Sequence, residues 1–148
     1  MAARTVKSDP QARRVYVMER RGLWGHLDHT APLGLLRTTA ARACRLHGVP
    51  PVSVTVRRMR GCGGWYEHDR INLDPDCGRN LLMLAHELAH HVTYHKHPHA
   101  QDHGPAFVRW YAHFLDAWRL VPIEGMRALC RDYGVGIAPV VRLPPPSK

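Results

Sequence analysis

The stretch from Asn80 to His95 constrains this chain more than any other. Leu81, Leu84, Ala85, Leu88 and Val92 recur at helical spacing and form a broad apolar face, the pattern of a buried helix. Inside that helix stand His86, Glu87 and His90, in the order His-Glu-x-x-His. Polar groups buried without partners are costly, so three of them in an apolar helix need a purpose. Four residues are a little over one helical turn, so His86 and His90 project from the same face. Two imidazoles one turn apart can grip one zinc ion through nitrogen. Glu87 falls about a quarter turn away, beside the metal, where it can take a proton from a zinc-bound water. Chance produces the motif roughly 0.03 times in a chain of this His and Glu content.

A catalytic zinc needs a third protein ligand and an open fourth position. The metzincin pattern demands Gly at 93 and His at 96, and the chain has Thr93 and Lys96. A downstream glutamate ligand has one candidate, since Glu124 alone follows Glu87. The histidine candidates are His91, His95, His97, His99 and His103. His91 points off the ligand face, and His97 and His99 flank a proline in the loop that ends the helix. His103 directly precedes Gly104-Pro105, where a new helix can hold it, and is the favoured third ligand.

The rest of the chain reads as a mixed α+β domain. Residues 1–13 are polar and basic and read as a flexible N-terminus; residues 14–138 form the domain; the Pro-rich residues 139–148 form a flexible tail. Val15 to Met18 reads as a short strand and Gly22 to Thr30 as a loop. A helix is expected from Pro32 to His47, capped by Thr30 and stopped by Gly48, Pro50 and Pro51. Val52, Val54 and Val56 alternate with polar residues as in a half-buried strand. Gly61 to Gly64 is a turn; Trp65–Glu67 and Arg70–Leu73 follow as short strands. Asp74 and Asp76 offer caps for the metal helix. Beyond it, helices are expected from Pro105, with Phe107, Tyr111, Phe114 and Trp118 as its apolar stripe, and from Pro122 to about Tyr133. The expected architecture is a small mixed sheet packed on the His-Glu-x-x-His helix, with further helices around it.

Composition narrows the partners. The 148-residue chain carries a formal charge of +9, and arginine supplies 18 of its 21 basic residues. Such a surface suits weak nucleic-acid binding through Arg13, Arg14, Arg20, Arg21, Arg57, Arg58 and Arg60, with Trp24 or Trp65 stacking on bases; a solvated surface written in arginine is the alternative. No apolar run is long enough to span a membrane, and no signal pattern is seen, so a cytoplasmic protein with reduced thiols is expected. Cys44 and Cys130 read as small core residues; Cys62 and Cys77 sit beside glycines in loops that can approach one another.

His86-Glu87-Leu88-Ala89-His90, a short linker, and His103-Gly104-Pro105-Ala106-Phe107 resemble the SprT-like zinc metallopeptidases. Trp65-Tyr66 and Ile71-Asn72-Leu73 are similar to the family's last strand before the metal helix, and the resemblance spans roughly residues 33–120. It implies a minimal zincin-like fold, one Zn2+ held by His86, His90 and His103, and Glu87 as general base. Many members carry a C-terminal zinc ribbon; with no cysteine after Cys130, this chain is similar to the short stand-alone metallohydrolases of the family. Members linked to DNA repair digest proteins crosslinked to DNA.

These readings combine into a zinc-dependent metallohydrolase, foremost a peptidase acting on peptide or protein substrates, with DNA-associated proteins among them. Candidate oxyanion or substrate helpers are Tyr66, His68, Tyr94 and His95. The strand at Arg70–Leu73 is a candidate for pairing with an extended peptide. The competing readings are a nucleic-acid-associated binding module and a noncatalytic zinc-stabilised scaffold, the latter requiring a fourth protein ligand.

Overall fold

A computed structural model describes residues 8–26, 30–61, 63–139 and 141. The chain folds as α+β: helices α1 (Ala12–Met18), α2 (Leu33–His47), α3 (Leu81–Lys96), α4 (Pro105–Ala117) and α5 (Ile123–Tyr133), and strands β1 (Ser53–Val56), β2 (Gly64–Glu67) and β3 (Arg70–Leu73). The three strands form one sheet in the order β1-β3-β2, with β1 parallel and β2 antiparallel to β3. Among the described residues no helix is long and apolar enough to cross a membrane.

Pairing places Val54 opposite Ile71 and Val56 opposite Leu73, and Val54, Ile71 and Leu73 are buried in the core that also takes Leu84 and Leu88 of α3. On alternate positions Thr55 and Asn72 are hydrogen-bonded at 2.6 Å. The β2–β3 hairpin turns through His68 and Asp69, at φ 48° and 58°, the left-handed pair that a two-residue turn of matching twist requires. Because β3 is paired on both sides, the expected docking of a peptide on Arg70–Leu73 does not hold; β1 and β2 are the outer strands.

The N-terminal segment departs most from the sequence reading. Val15 to Met18 is helical: Val15 and Met18, three apart, are both fully buried, and a four-residue apolar run fits either period. The helix continues through a π-helical turn at Glu19–Leu23 and a 3-10 turn at Trp24–His26, so the expected Gly22–Thr30 loop is helical over residues 22–26, and its residues 27–29 lie outside the described residues. Nor do residues 9–13 fray. Gln11 Nε2 donates to the carbonyls of His103 (2.8 Å) and Gly136 (3.0 Å), and Arg14 donates to the Gly134 carbonyl at 3.0 Å. Residues 1–7 and the tail residues 142–148 lie outside the described residues; Val141 packs partly buried against the core.

Three smaller expectations also change. Pro32, not Thr30, is the residue before α2, and it makes no side-chain cap. Asn80, not Asp74 or Asp76, caps α3 by accepting the Met83 amide at 2.9 Å. Asp74 instead accepts the amides of Met59, Asp76 and Cys77 and organises the loop before α3. Asp74 N–H donates to the Gly63 carbonyl at 2.8 Å, and a Cβ on Gly78 would sit on that same carbonyl. The cysteines change in part: Cys44 and Cys130 are free buried thiols as expected, whereas Cys77 is disulfide-bonded rather than reduced. Cys62 lies outside the described residues.

Candidate metal centre

Helix α3 brings His86 and His90 together, and the start of α4 adds His103. Their ligand nitrogens lie within 4.8 Å of one another, and the His90 and His103 ring centroids are 4.6 Å apart. Gly104 and Pro105 behind His103 open α4, so the third imidazole sits in the turn immediately before a rigid helix. Phe107, one turn further on, stacks against His90 at 4.4 Å and closes the floor.

Two carboxylates hold the outer nitrogens of these rings. Glu19, buried in the π-helical turn, accepts from His86 Nδ1 at 2.7 Å and from the Tyr111 hydroxyl at 2.9 Å. Asp9 accepts from His103 Nδ1 at 2.7 Å and from its backbone amide at 3.2 Å. Each carboxylate fixes its imidazole with the proton on Nδ1, which leaves Nε2 to bind a metal; this arrangement commonly stands behind ligating histidines. His103 Nε2 is buried and has no hydrogen-bond partner among the described residues. A divalent cation of the zinc type fits that donor set: three neutral imidazole nitrogens, two of them backed by carboxylates.

Electrostatics separates the histidines. Burial pulls the His86 imidazole down, but the Glu19 carboxylate outweighs it and raises His86 to about 9. His90 is held well below the usual imidazole range by burial and by His86 and His103. His103 is lowered by burial and by His86, against the pull of Asp9.

Glu87 is buried beside the cluster and outside it. Burial, with Glu19 repelling and His86 attracting, raises its carboxyl to about 7. It lies against Gly64 of β2, where a Cβ would come within 2.8 Å of Glu87 Cγ. A cleft lined by Tyr16, Glu19, Trp24, Gly64, His86 and Glu87 opens onto this face.

Sequence reasoning named His86, Glu87, His90 and His103, and the structure assembles all four. His97 and His99 are exposed. The four candidate helpers lie elsewhere: Tyr66 and His95 contact Asp69, His68 is exposed and 3.2 Å from Glu67, and Tyr94 is exposed. Asp9, Glu19 and Tyr16 were missed. Tyr16 stacks over His86 at 6.0 Å and tilts against His103 at 5.0 Å. Burial and the charges of Glu87 and Glu19 push its phenol to about 12, so at neutral pH it is a hydrogen-bond donor. The only sequence signal for Glu19 is its isolation as the sole glutamate before residue 67. The seven arginines singled out for nucleic acid are exposed; Arg20 lines the cleft and Arg58 pairs with Asp76. Comparison of the chain with protein-family models, curated proteins and solved structures returned no match.

Proposed function

We propose that this protein is a zinc-dependent metallohydrolase of the SprT-like, zincin type, acting as a peptidase. The observation that carries the reading is the three-histidine cluster with carboxylates behind two of its rings and Glu87 beside it on an open cleft. Zinc, when bound, supplies Lewis acidity that brings a water pKa towards ~7 and polarises a carbonyl. Glu87, raised to about 7, is matched to accept a proton near neutrality and to return it to the leaving nitrogen. Tyr16, a donor on the cleft wall, is the group best placed to hydrogen-bond the carbonyl oxygen as charge develops there. The outer strand β2 leads along Gly64 to Glu87 and offers backbone groups to an extended peptide, which favours peptide over small-molecule substrates.

The test combines metal analysis of the purified protein with hydrolysis of an unfolded protein substrate. Glu87→Gln is expected to keep its zinc and lose hydrolysis by about 10²–10⁴-fold. A Glu87→Gln protein as active as the parent, or a parent that takes up no zinc, refutes the reading. Zinc uptake without hydrolysis points to the scaffold reading. Among the described residues, however, the histidine cluster has three members and not the four a closed structural site uses.

A further inference from the structure

Helix α3 carries a second pair of histidines one turn apart. His91 and His95 lie on a face about 140° around the helix from His86 and His90, at ~100° per residue. Opposite them, at the tip of the β2–β3 hairpin, stands Asp69. His95 Nε2 is 2.8 Å from Asp69 Oδ1 and His91 Nδ1 is 3.4 Å from it. The ligand atoms of the three residues lie within 4.8 Å of one another.

Proton positions set which lone pairs face the centre of this cluster. His91 Nε2 lies 2.7 Å from the Pro50 carbonyl. A carbonyl only accepts, so that nitrogen carries the proton and Nδ1 turns a bare lone pair inward. Nδ1 and Asp69 Oδ1 then compete for the single proton of the Tyr66 hydroxyl, which is 3.0 Å from the first and 3.1 Å from the second. Asp69 Oδ1 also accepts from His95 Nε2 at 2.8 Å, so the metal-free cluster is satisfied when Tyr66 donates to His91. The three ligand atoms nonetheless converge on one point that a cation can occupy, with the inward lone pair of the buried His91 as its fixed member. The backbone carbonyl behind His91 plays the part that carboxylates play behind His86 and His103. The way in is open, because the His95 and Asp69 side chains are 22% and 43% exposed.

We infer that Asp69, His91 and His95 form a second divalent-metal site, of the borderline kind that takes zinc through two imidazoles and a carboxylate. His95 would bind as the tautomer with its proton on Nδ1, which frees Nε2 for the ion, and Tyr66 stays as a hydrogen-bond donor to the carboxylate. Occupancy ties the hairpin tip to α3. Because β2 runs from that hairpin to Gly64 and Glu87, the second ion braces the strand that borders the cleft.

The experiment is a zinc titration of the metal-free full-length protein, read by metal analysis after desalting and by calorimetry, on the parent, His95→Ala and His103→Ala. Asp69→Asn, a shape-conserving substitution at a half-buried turn position, serves as a second variant should either alanine protein fold poorly. The parent is expected to take up two zinc ions; His95→Ala and Asp69→Asn lose one, and His103→Ala loses the other. Two-dimensional spectra of the histidine ring nitrogens should show His91 Nδ1 shifting with the second equivalent. One ion in the parent, retained in His95→Ala and lost in His103→Ala, overturns the second site and leaves the catalytic reading standing. One ion lost in His95→Ala and retained in His103→Ala does the reverse. No binding by the parent overturns both.

Discussion

On the proposed reading, a proton and a metal ion compete for His86. Zinc takes only the neutral imidazole, and in the metal-free protein Glu19 holds His86 protonated up to about 9. Apparent zinc affinity should therefore rise about tenfold per pH unit up to that point and then level off. In Glu19→Gln the carboxylate is gone and burial lowers the imidazole against the weaker pull of Glu87, so the rise between pH 7 and 9 should flatten; competition titration with a zinc-binding dye at several pH values measures both slopes. Tyr16 makes a separate demand. Tyr16→Phe should leave zinc content intact and lower kcat by about 10²-fold with little change in KM, if its hydroxyl meets charge that appears only in the transition state. An unchanged kcat would return Tyr16 to a packing role. His86, Glu87 and His90 are legible in the sequence because helical spacing alone fixes their mutual geometry. Asp9 and Glu19 are not, because their partners stand 94 and 67 residues away, and no local pattern encodes a contact of that span.

At the level of elements, the long periodic helices are readable and the N-terminal segment is not. Helices α3 and α4 carry apolar residues over three or more turns, whereas Val15 to Met18 is too short for its period to decide between strand and helix. Its true face emerges only from what it covers, the far sides of His86 and His103. That gives α1 and the residues before it a functional weight that can be measured. Asp9→Asn, which keeps the shape but weakens the carboxylate's hold on His103, should cost about 10–100-fold in zinc affinity. The sheet contributes through a close approach instead of a side chain. In Gly64→Ala the new Cβ would fall 2.8 Å from Glu87 Cγ and 2.9 Å from its Oε1. The Glu87 side chain must then swing aside. Hydrolysis should drop about 10²-fold while zinc stays bound, since a shift of ~1 Å in a reacting group is enough for that loss. A fully active Gly64→Ala protein would show that Glu87 has slack the packing does not suggest.

Taken whole, the molecule has a charge of +9 with the arginines of α1, its π-helical extension and the β1–β2 connection exposed. Double-stranded DNA should bind weakly and without sequence preference, and binding should weaken steeply between about 50 and 200 mM salt; fluorescence anisotropy reads it, and salt-independent binding would exclude the phosphate backbone as the partner. The centre also sets an order of assembly. His86 and His103 come from the middle and later part of the chain, while the carboxylates that orient them come from the residues before α1 and the π-helical turn after it. On a ribosome those carboxylates emerge early and wait for most of the domain to be made before they meet their histidines. Loops of that span close late, after the local helices have formed. A chain made only as far as α3 holds the histidine pair and both carboxylates but lacks the third ring, so on the proposed reading hydrolytic competence waits for His103 and α4, and a nascent chain is spared a working protease beside its own unfolded segments.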